Sequence, residues 1–302
     1  IKIVCTPRVG EVGIPYGTTA MIVDTHVHVW EMPPIAPLGP TAPTFTSLPE
    51  ESAPVELLID DMDSHGVDSA VLVQTSWSTW DNTYVAIATT KYPERLRSIG
   101  LIDPLDPASV SLVHYWIETS GMMGFRFHPD YYPNIEILTA PHTIPLLKAI
   151  EDREGIVKVH NSVANAHQLN EASSRYPGIT WIIDHLMYPE PRMAPDDWRE
   201  YQPVLHLAKR NNVFLTISDL HSHSNTEFPF RDMHEVLKRA IDTFGVDRCL
   251  WGTGFPGHLR LSYKWPSLAD ELRLIREGID WLSPSERSLI LGENARRLFN
   301  YD

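Results

Sequence analysis

The chain has 302 residues, of which 43% are apolar and 21% charged, an ordinary make-up for a globular protein. It carries 25 Lys and Arg against 39 Asp and Glu, a formal charge of −14. That sign opposes any sequence-independent grip on nucleic acid or an anionic membrane surface. No run of about 18 apolar residues is present, so no membrane span is expected. Its two cysteines, Cys5 and Cys249, are too few to staple a scaffold of this length and read as reduced thiols of a cytoplasmic protein.

Residues 1–20 hold Pro7, Gly10, Gly13, Pro15 and Gly17 and lack the pattern of a signal peptide. They read as an irregular arm, with Met21 as an alternative start directly before the first strand. From residue 21 to 302 short apolar runs alternate with helical-period segments. The runs are Met21–Val27, Ser69–Gln74, Leu96–Leu101, Gly121–Phe127, Gly155–His160, Ile179–Asp184, Asn212–Ile217 and Arg248–Gly252. Each is apolar almost without interruption, as expected of parallel strands covered on both faces.

The segments between them are Pro54–Gly66, Asp81–Tyr92, Pro107–Ser120, Pro141–Glu154, Ala164–Tyr176, Pro203–Asn211, Arg231–Phe244 and Ser267–Trp281. The first opens near a proline and stops at a glycine, the usual helix asymmetry. Eight strands and eight helices in strict alternation predict one (β/α)8 TIM barrel over 21–302. An open doubly wound sheet ranks below it, because no glycine-rich phosphate turn follows the first strand. Long connections follow strand one (Val29–Ala53) and strand six (Leu186–Gln202), on the face where such barrels build their sites.

His26 and His28 sit two apart at the end of the first strand, so both side chains point the same way. Two imidazoles on one face suit a divalent metal of zinc type. His160 ends strand five and His185 ends strand six, at the same level of the same end. Buried neutral imidazoles need partners, which a shared metal or substrate anion would supply. Arg126 on strand four offers a planar fork suited to a carboxylate, against an alternative role in an internal ion pair. Gln74, Trp77, His128, Tyr131 and His258 also follow strand ends and are candidate substrate contacts. A second HxH, His221 and His223, reads as polar loop residues rather than a second metal site. Cys249 reads as a small buried hydrophobe.

The chain resembles the amidohydrolase superfamily, in its amidohydrolase-related family 2 branch. The resemblance rests on Val23-Asp24-Thr25-His26-Val27-His28, Val71-Leu72-Val73-Gln74 with Asp81-Asn82-Thr83-Tyr84, and Gly124-Phe125-Arg126-Phe127. It continues in Ile183-Asp184-His185-Leu186, Trp251-Gly252-Thr253, Phe255-Pro256 and the closing stretch from Ile290 to Phe299. The Val-Gln and Asp-Asn-x-Tyr pieces are most similar to lactonases of sugar acids, pyrone dicarboxylates and muconolactone-type compounds. What the resemblance implies is a hydrolase that opens the lactone of a small anionic substrate. His26, His28 and His185 would be ligands of a divalent metal, zinc above all, or would polarise substrate directly in a metal-free mechanism. His160 and His185 would join in catalysis, and Arg126 would hold the substrate carboxylate.

The resemblance breaks at Gly254, where the family carries the acidic residue expected to be the general base. Three readings stay open: a substitution made to trap a ligand, another base (His258, His160 or a carboxylate), or a relative that only binds. The alternative reactions are decarboxylation or hydration of an aromatic or muconate-type acid. Pairing into a homo-oligomer through the outer helices follows only by analogy of fold.

Overall fold

The computed structural model describes residues 20–32, 49–78, 80–193 and 198–302. Cys5, nearly all of the arm and parts of both long connections lie outside the described residues. Eight parallel strands run in sequence order: β1 (Val23–Val27), β2 (Ser69–Val73), β3 (Leu96–Leu101), β4 (Gly124–Phe127), β5 (Ile156–Val159), β6 (Thr180–Ile183), β7 (Val213–Ile217) and β8 (Cys249–Trp251). Helices alternate with them, as the apolar runs predicted, and the result is a (β/α)8 barrel. The predicted helices over 107–120 and 267–281 are not uniform. Their α-helical parts, Ser109–His114 and Leu268–Arg273, widen into π-helical turns at Tyr115–Thr119 and Leu274–Gly278.

Alternation along the strands sorts the core into two layers. Val71, Val73, Ile99, Ile156, Ile182 and Leu250 fill the barrel interior over a base of Ala295, Phe299 and Tyr301. Ala70, Leu72, Phe125, Phe127, Val157, Val159, Trp181, Ile183 and Leu215 face outward against the helices. All of these side chains are buried. Each fully buried side chain of this size contributes about 1.5–3 kcal/mol of burial free energy, so the wall is held mainly by apolar contact.

The period breaks once, in β1. Val23 belongs to the inner cluster, while Val27 and Val29 belong to the outer one. The pairing with β2 shifts register between Asp24 and Val27. A bulge of this kind re-aims the residues that follow it, so His26 and His28 turn into the barrel. The strand is then tied to β8 to close the ring. Thr253 N donates to His26 O at 3.1 Å and His28 N to Gly254 O at 2.7 Å, and Thr25 Oγ1 donates to Trp251 O at 2.7 Å. Asp24 accepts from both the backbone N–H and the hydroxyl of Thr253.

The C-terminal segment plugs the opposite end. Gly292 lies so close to β1 that a Cβ there would stand 1.7 Å from Met21 O, so only glycine fits. Tyr301 donates its hydroxyl proton to Ala70 O at 2.7 Å. Near the other end of β3, the fully buried Asn82 clasps one residue with its whole amide: Nδ2 donates to Leu101 O (2.8 Å) and Oδ1 accepts from Leu101 N (2.7 Å). Asn82→Ala leaves both Leu101 groups buried without a partner. It should lower stability by about 2–4 kcal/mol, read from the urea midpoint, with the far-UV spectrum unchanged.

Candidate active site

The site grows from one carboxylate. Asp184 directly follows β6 and is fully buried. Its Oδ1 lies 3.1 Å from His26 Nδ1 and 3.1 Å from Lys158 Nζ, and its Oδ2 accepts from Arg126 Nε at 2.7 Å. Burial alone would raise its pKa, but Lys158, His26 and Arg126 outweigh that and hold the carboxyl well below the usual range. Lys158 is also wholly buried, and its ammonium reaches Thr25 O at 3.2 Å. Desolvation pulls its pKa down, with Asp184 opposing.

Five imidazoles ring this hub. His26 lies 5.0 Å from His28 and 4.8 Å from His185 between ring centroids. His160 is 5.9 Å from His185 and 5.0 Å from His128. Burial is the main cause that pushes every one of their pKa values down, to about 4 for His28 and about 3 for His160. His26, His128 and His185 are driven well below the ordinary value by the same desolvation. All five are therefore neutral at pH 7.

The partners fix the tautomers of two rings. Val73 O can only accept, so His28 Nδ1 donates to it at 2.6 Å and Nε2 keeps its lone pair. The ionised Asp184 likewise draws the proton of His26 to Nδ1, and His26 Nε2 is buried with no hydrogen-bond partner. His185 Nδ1 is held by Ser218 Oγ at 2.8 Å. Tyr188 bonds His160 Nε2 at 2.5 Å, which leaves His160 Nδ1 buried and unpartnered. His185 and Tyr188 reach these positions through four successive residues with positive φ, 51°, 55°, 63° and 54°.

Among the described residues, one group of side chains brings ligand atoms close enough for an ion: His26, Asp184 and His185, within 4.8 Å of one another. Two neutral imidazoles, one carrying an unpartnered buried nitrogen, and an ionised carboxylate fit a divalent cation. The metal set expected from sequence had His28 where this group has Asp184.

The structure gathers His26, His28, His128, His160, His185 and Arg126, and it stacks Tyr131 on His128 at 4.6 Å. A recess beside them is lined by Ser76, Trp80, Arg126, His128, Tyr131 and Tyr132. Gln74 spends its amide locally, with Nε2 on Asp81 O and Oε1 accepting from Thr75 N. Trp77 packs edge-on against Trp30 at 5.8 Å, in a satellite cluster with Phe255. His258 stands apart: it is exposed and pairs with Glu51 at 3.0 Å. Gly254 sits on the β8 rim with φ +133°. Of the second HxH, His223 packs on Tyr188 at 5.3 Å and His221 on Trp265 at 4.6 Å.

Sequence reasoning missed Asp184, Lys158, Ser218, Tyr188 and Trp265. Lys158 carried a usable signal, a cation inside an apolar run buried on both faces. Asp184 carried another, a carboxylate between a buried strand and a candidate histidine.

The amidohydrolase family model matches residues 23–301. No curated protein matches the sequence. Among solved structures, a probable 2-pyrone-4,6-dicarboxylic acid hydrolase from Acinetobacter baumannii with citric acid bound is 22% identical, with a TM-score of 0.77 over 92% of this chain and 99% of that one. An amidohydrolase from Burkholderia multivorans with bound zinc is 17% identical, with a TM-score of 0.74 over 93% and 99%. The 5-carboxyvanillate decarboxylase of Sphingomonas paucimobilis is also 17% identical, with a TM-score of 0.65 over 93% and 99%.

Burial of these groups makes stability pH-dependent in both directions. The five imidazoles stay neutral in the fold and take up protons on unfolding below about pH 6.5. They therefore cost stability as the pH falls from there towards 4. Burial raises Asp24 to about 6, Asp219 to about 7 and Glu271 to about 8, so these carboxyls hold protons in the fold that the unfolded chain has lost. They cost stability as the pH rises from about 4 to those values. Each group acts with a slope of up to about 1.4 kcal/mol per pH unit. These five imidazoles, joined by His221 at about 4 and His223, outweigh the three carboxyls below about pH 6.5; above it the imidazoles drop out and the carboxyls set the fall, opposed by the desolvated Lys158. The urea midpoint should peak near pH 6.5 and fall on both sides; a flat profile between pH 5 and 8 would contradict the neutral imidazole ring.

Proposed function

The chain belongs to the amidohydrolase family, and on that premise we propose that it opens the lactone ring of a small carboxylated compound by adding water. The observation that carries this reading is the Asp184–His26 pair, with an unpartnered Nε2 on the histidine. The carboxylate fixes the tautomer that leaves the lone pair on Nε2 and partly offsets the desolvation that holds the His26 pKa down, so Nε2 is the proton acceptor. This supplies the proton acceptor that Gly254 lacks.

In the proposed reaction, His26 Nε2 takes a proton from water as its oxygen attacks the acyl carbon. Tyr188, whose proton is held tightly by burial, donates to His160 Nε2 and so leaves a proton on His160 Nδ1. That N–H is a donor for the developing oxyanion. The bond between the acyl carbon and the ring oxygen then breaks. The leaving oxygen recovers the proton from His26, and the product is the open hydroxy acid. Arg126 gives only Nε to Asp184, so its outer nitrogens are the seat for a substrate carboxylate. A divalent ion held by His26, His185 and Asp184 would occupy the His26 Nε2 lone pair, so in an ion-loaded site it would replace His26 in activating water and would also polarise the carbonyl.

Charge supports the same substrate class. Arg126 and Lys158 both face the carboxylate of Asp184, so a cationic fork stands at the hub despite the acidic net charge of the chain. Low dielectric strengthens that local field. The pyrone hydrolase-like neighbour suggests 2-pyrone-4,6-dicarboxylate as the first compound to try, beside sugar-acid lactones and muconolactone.

Loss of lactone absorbance under saturating conditions should be seen with at least one carboxylated lactone. His26→Ala should lower kcat by about 10²–10⁴-fold. Arg126→Lys should act mainly on KM, because it loses the fork and keeps the charge. Release of carbon dioxide from an aromatic acid, with every lactone left intact, would replace this reading by decarboxylation.

A further inference from the structure

At the β8 rim the position that meets β1 is Gly254. It is bridged to Val27 and accepts from His28 N at 2.7 Å. Its φ of +133° is one that L side chains rarely adopt, and a Cβ built there would stand 2.5 Å from Trp265 Cζ3 and 2.9 Å from Cε3 and Cη2. The indole fills the volume that any side chain at this position would enter. Trp265 has its own supports. Its backbone N–H donates to Arg260 O at 2.7 Å, and its ring packs edge-on against His221 at 4.6 Å and Phe255 at 5.4 Å. Phe255 in turn lies 5.7 Å from His28. Trp265 is only half-buried.

We infer that Gly254 and Trp265 are a matched pair, in which the indole takes the place of a strand-eight side chain and forms an aromatic wall for the flat ring of a planar carboxylate. A side chain simply swapped for glycine would leave a hole, and here the space is occupied by a ring held from three directions. The glycine therefore belongs to this fold. The inference goes beyond the hydrolase reading, because the wall would serve whichever bond of the substrate is broken.

Two measurements test it. The first is a double-mutant cycle on thermal unfolding with Gly254→Ala, Trp265→Ala and both together. Gly254→Ala should lower Tm by roughly 3–8 °C while Trp265 is present, from the clash and the backbone strain together. In the Trp265→Ala background the drop should be less than half as large, since only the backbone strain remains; the cycle isolates the contact. Equal drops in the two backgrounds would overturn the pairing. The second is calorimetric binding of isophthalate, a planar dicarboxylate, against citrate, which has no flat ring. Isophthalate should bind the wild-type protein more tightly, and Trp265→Ala should weaken it about 2–10-fold while citrate changes less than twofold. Absent isophthalate binding by the wild type, or an affinity untouched by Trp265→Ala, would overturn the wall.

Discussion

Everything at the mouth of the barrel depends on one ion, the buried carboxylate of Asp184. Two buried cations and an imidazole converge on its two oxygens. Stripping three charges of water costs several kcal/mol each, and only their close mutual contact offsets it. The arrangement is poor value as a source of stability, since apolar residues of similar size would pack as well. Its effect is geometric. It fixes the Arg126 fork, sets the His26 tautomer and anchors Lys158 beneath the imidazoles. Strands β4, β5 and β6 are joined to β1 through a single side chain.

The same economy governs the seam. β1 and β8 share no extended ladder, only the isolated bridge Val27↔Gly254 and the hydrogen bonds around it. The backbone that closes the ring thus includes that of His26 and His28, whose imidazoles belong to the site. A bulge in β1 both turns the histidines inward and sets the register in which their backbone meets β8. Closing the fold and aiming the imidazoles are one structural act.

The fold was legible because apolar strands covered on both faces leave a plain mark: all eight runs became strands, with ends displaced by up to three residues. The histidines of strands one, five and six were legible because strand ends fix where a side chain faces. What could not be read was how charges pair across the barrel. Arg126 was weighed between substrate fork and internal ion pair, and geometry shows the ion pair, made through Nε to Asp184. Gln74 followed the right strand but spends its amide on neighbouring backbone, which no spacing reveals. His258 lies only four residues past Gly254, yet the turn at 255–258 carries it outward to Glu51. Trp265 was hidden for a different reason: its meaning comes from the space beside a glycine eleven residues earlier.

The turn after β6 shows what the chain spends to keep these groups in place. His185, Leu186, Met187 and Tyr188 all have positive φ, a conformation that disfavours L-residues by roughly 1–2 kcal/mol each. Four in succession form a left-handed turn that would not survive alone. It is held from inside, with Leu186 and Met187 fully buried and Leu186 O accepting the Tyr201 hydroxyl proton at 2.8 Å. Burial of two such side chains is of the same order as the strain, so the turn is affordable only as part of the packed wall. A right-handed turn would send the chain off β6 in another direction and separate His185 from Tyr188. Left-handed, it sets the two rings 5.1 Å apart, with Tyr188 able to reach His160. Strain at this corner is therefore the means by which β5 and β6 present their histidines to one common space.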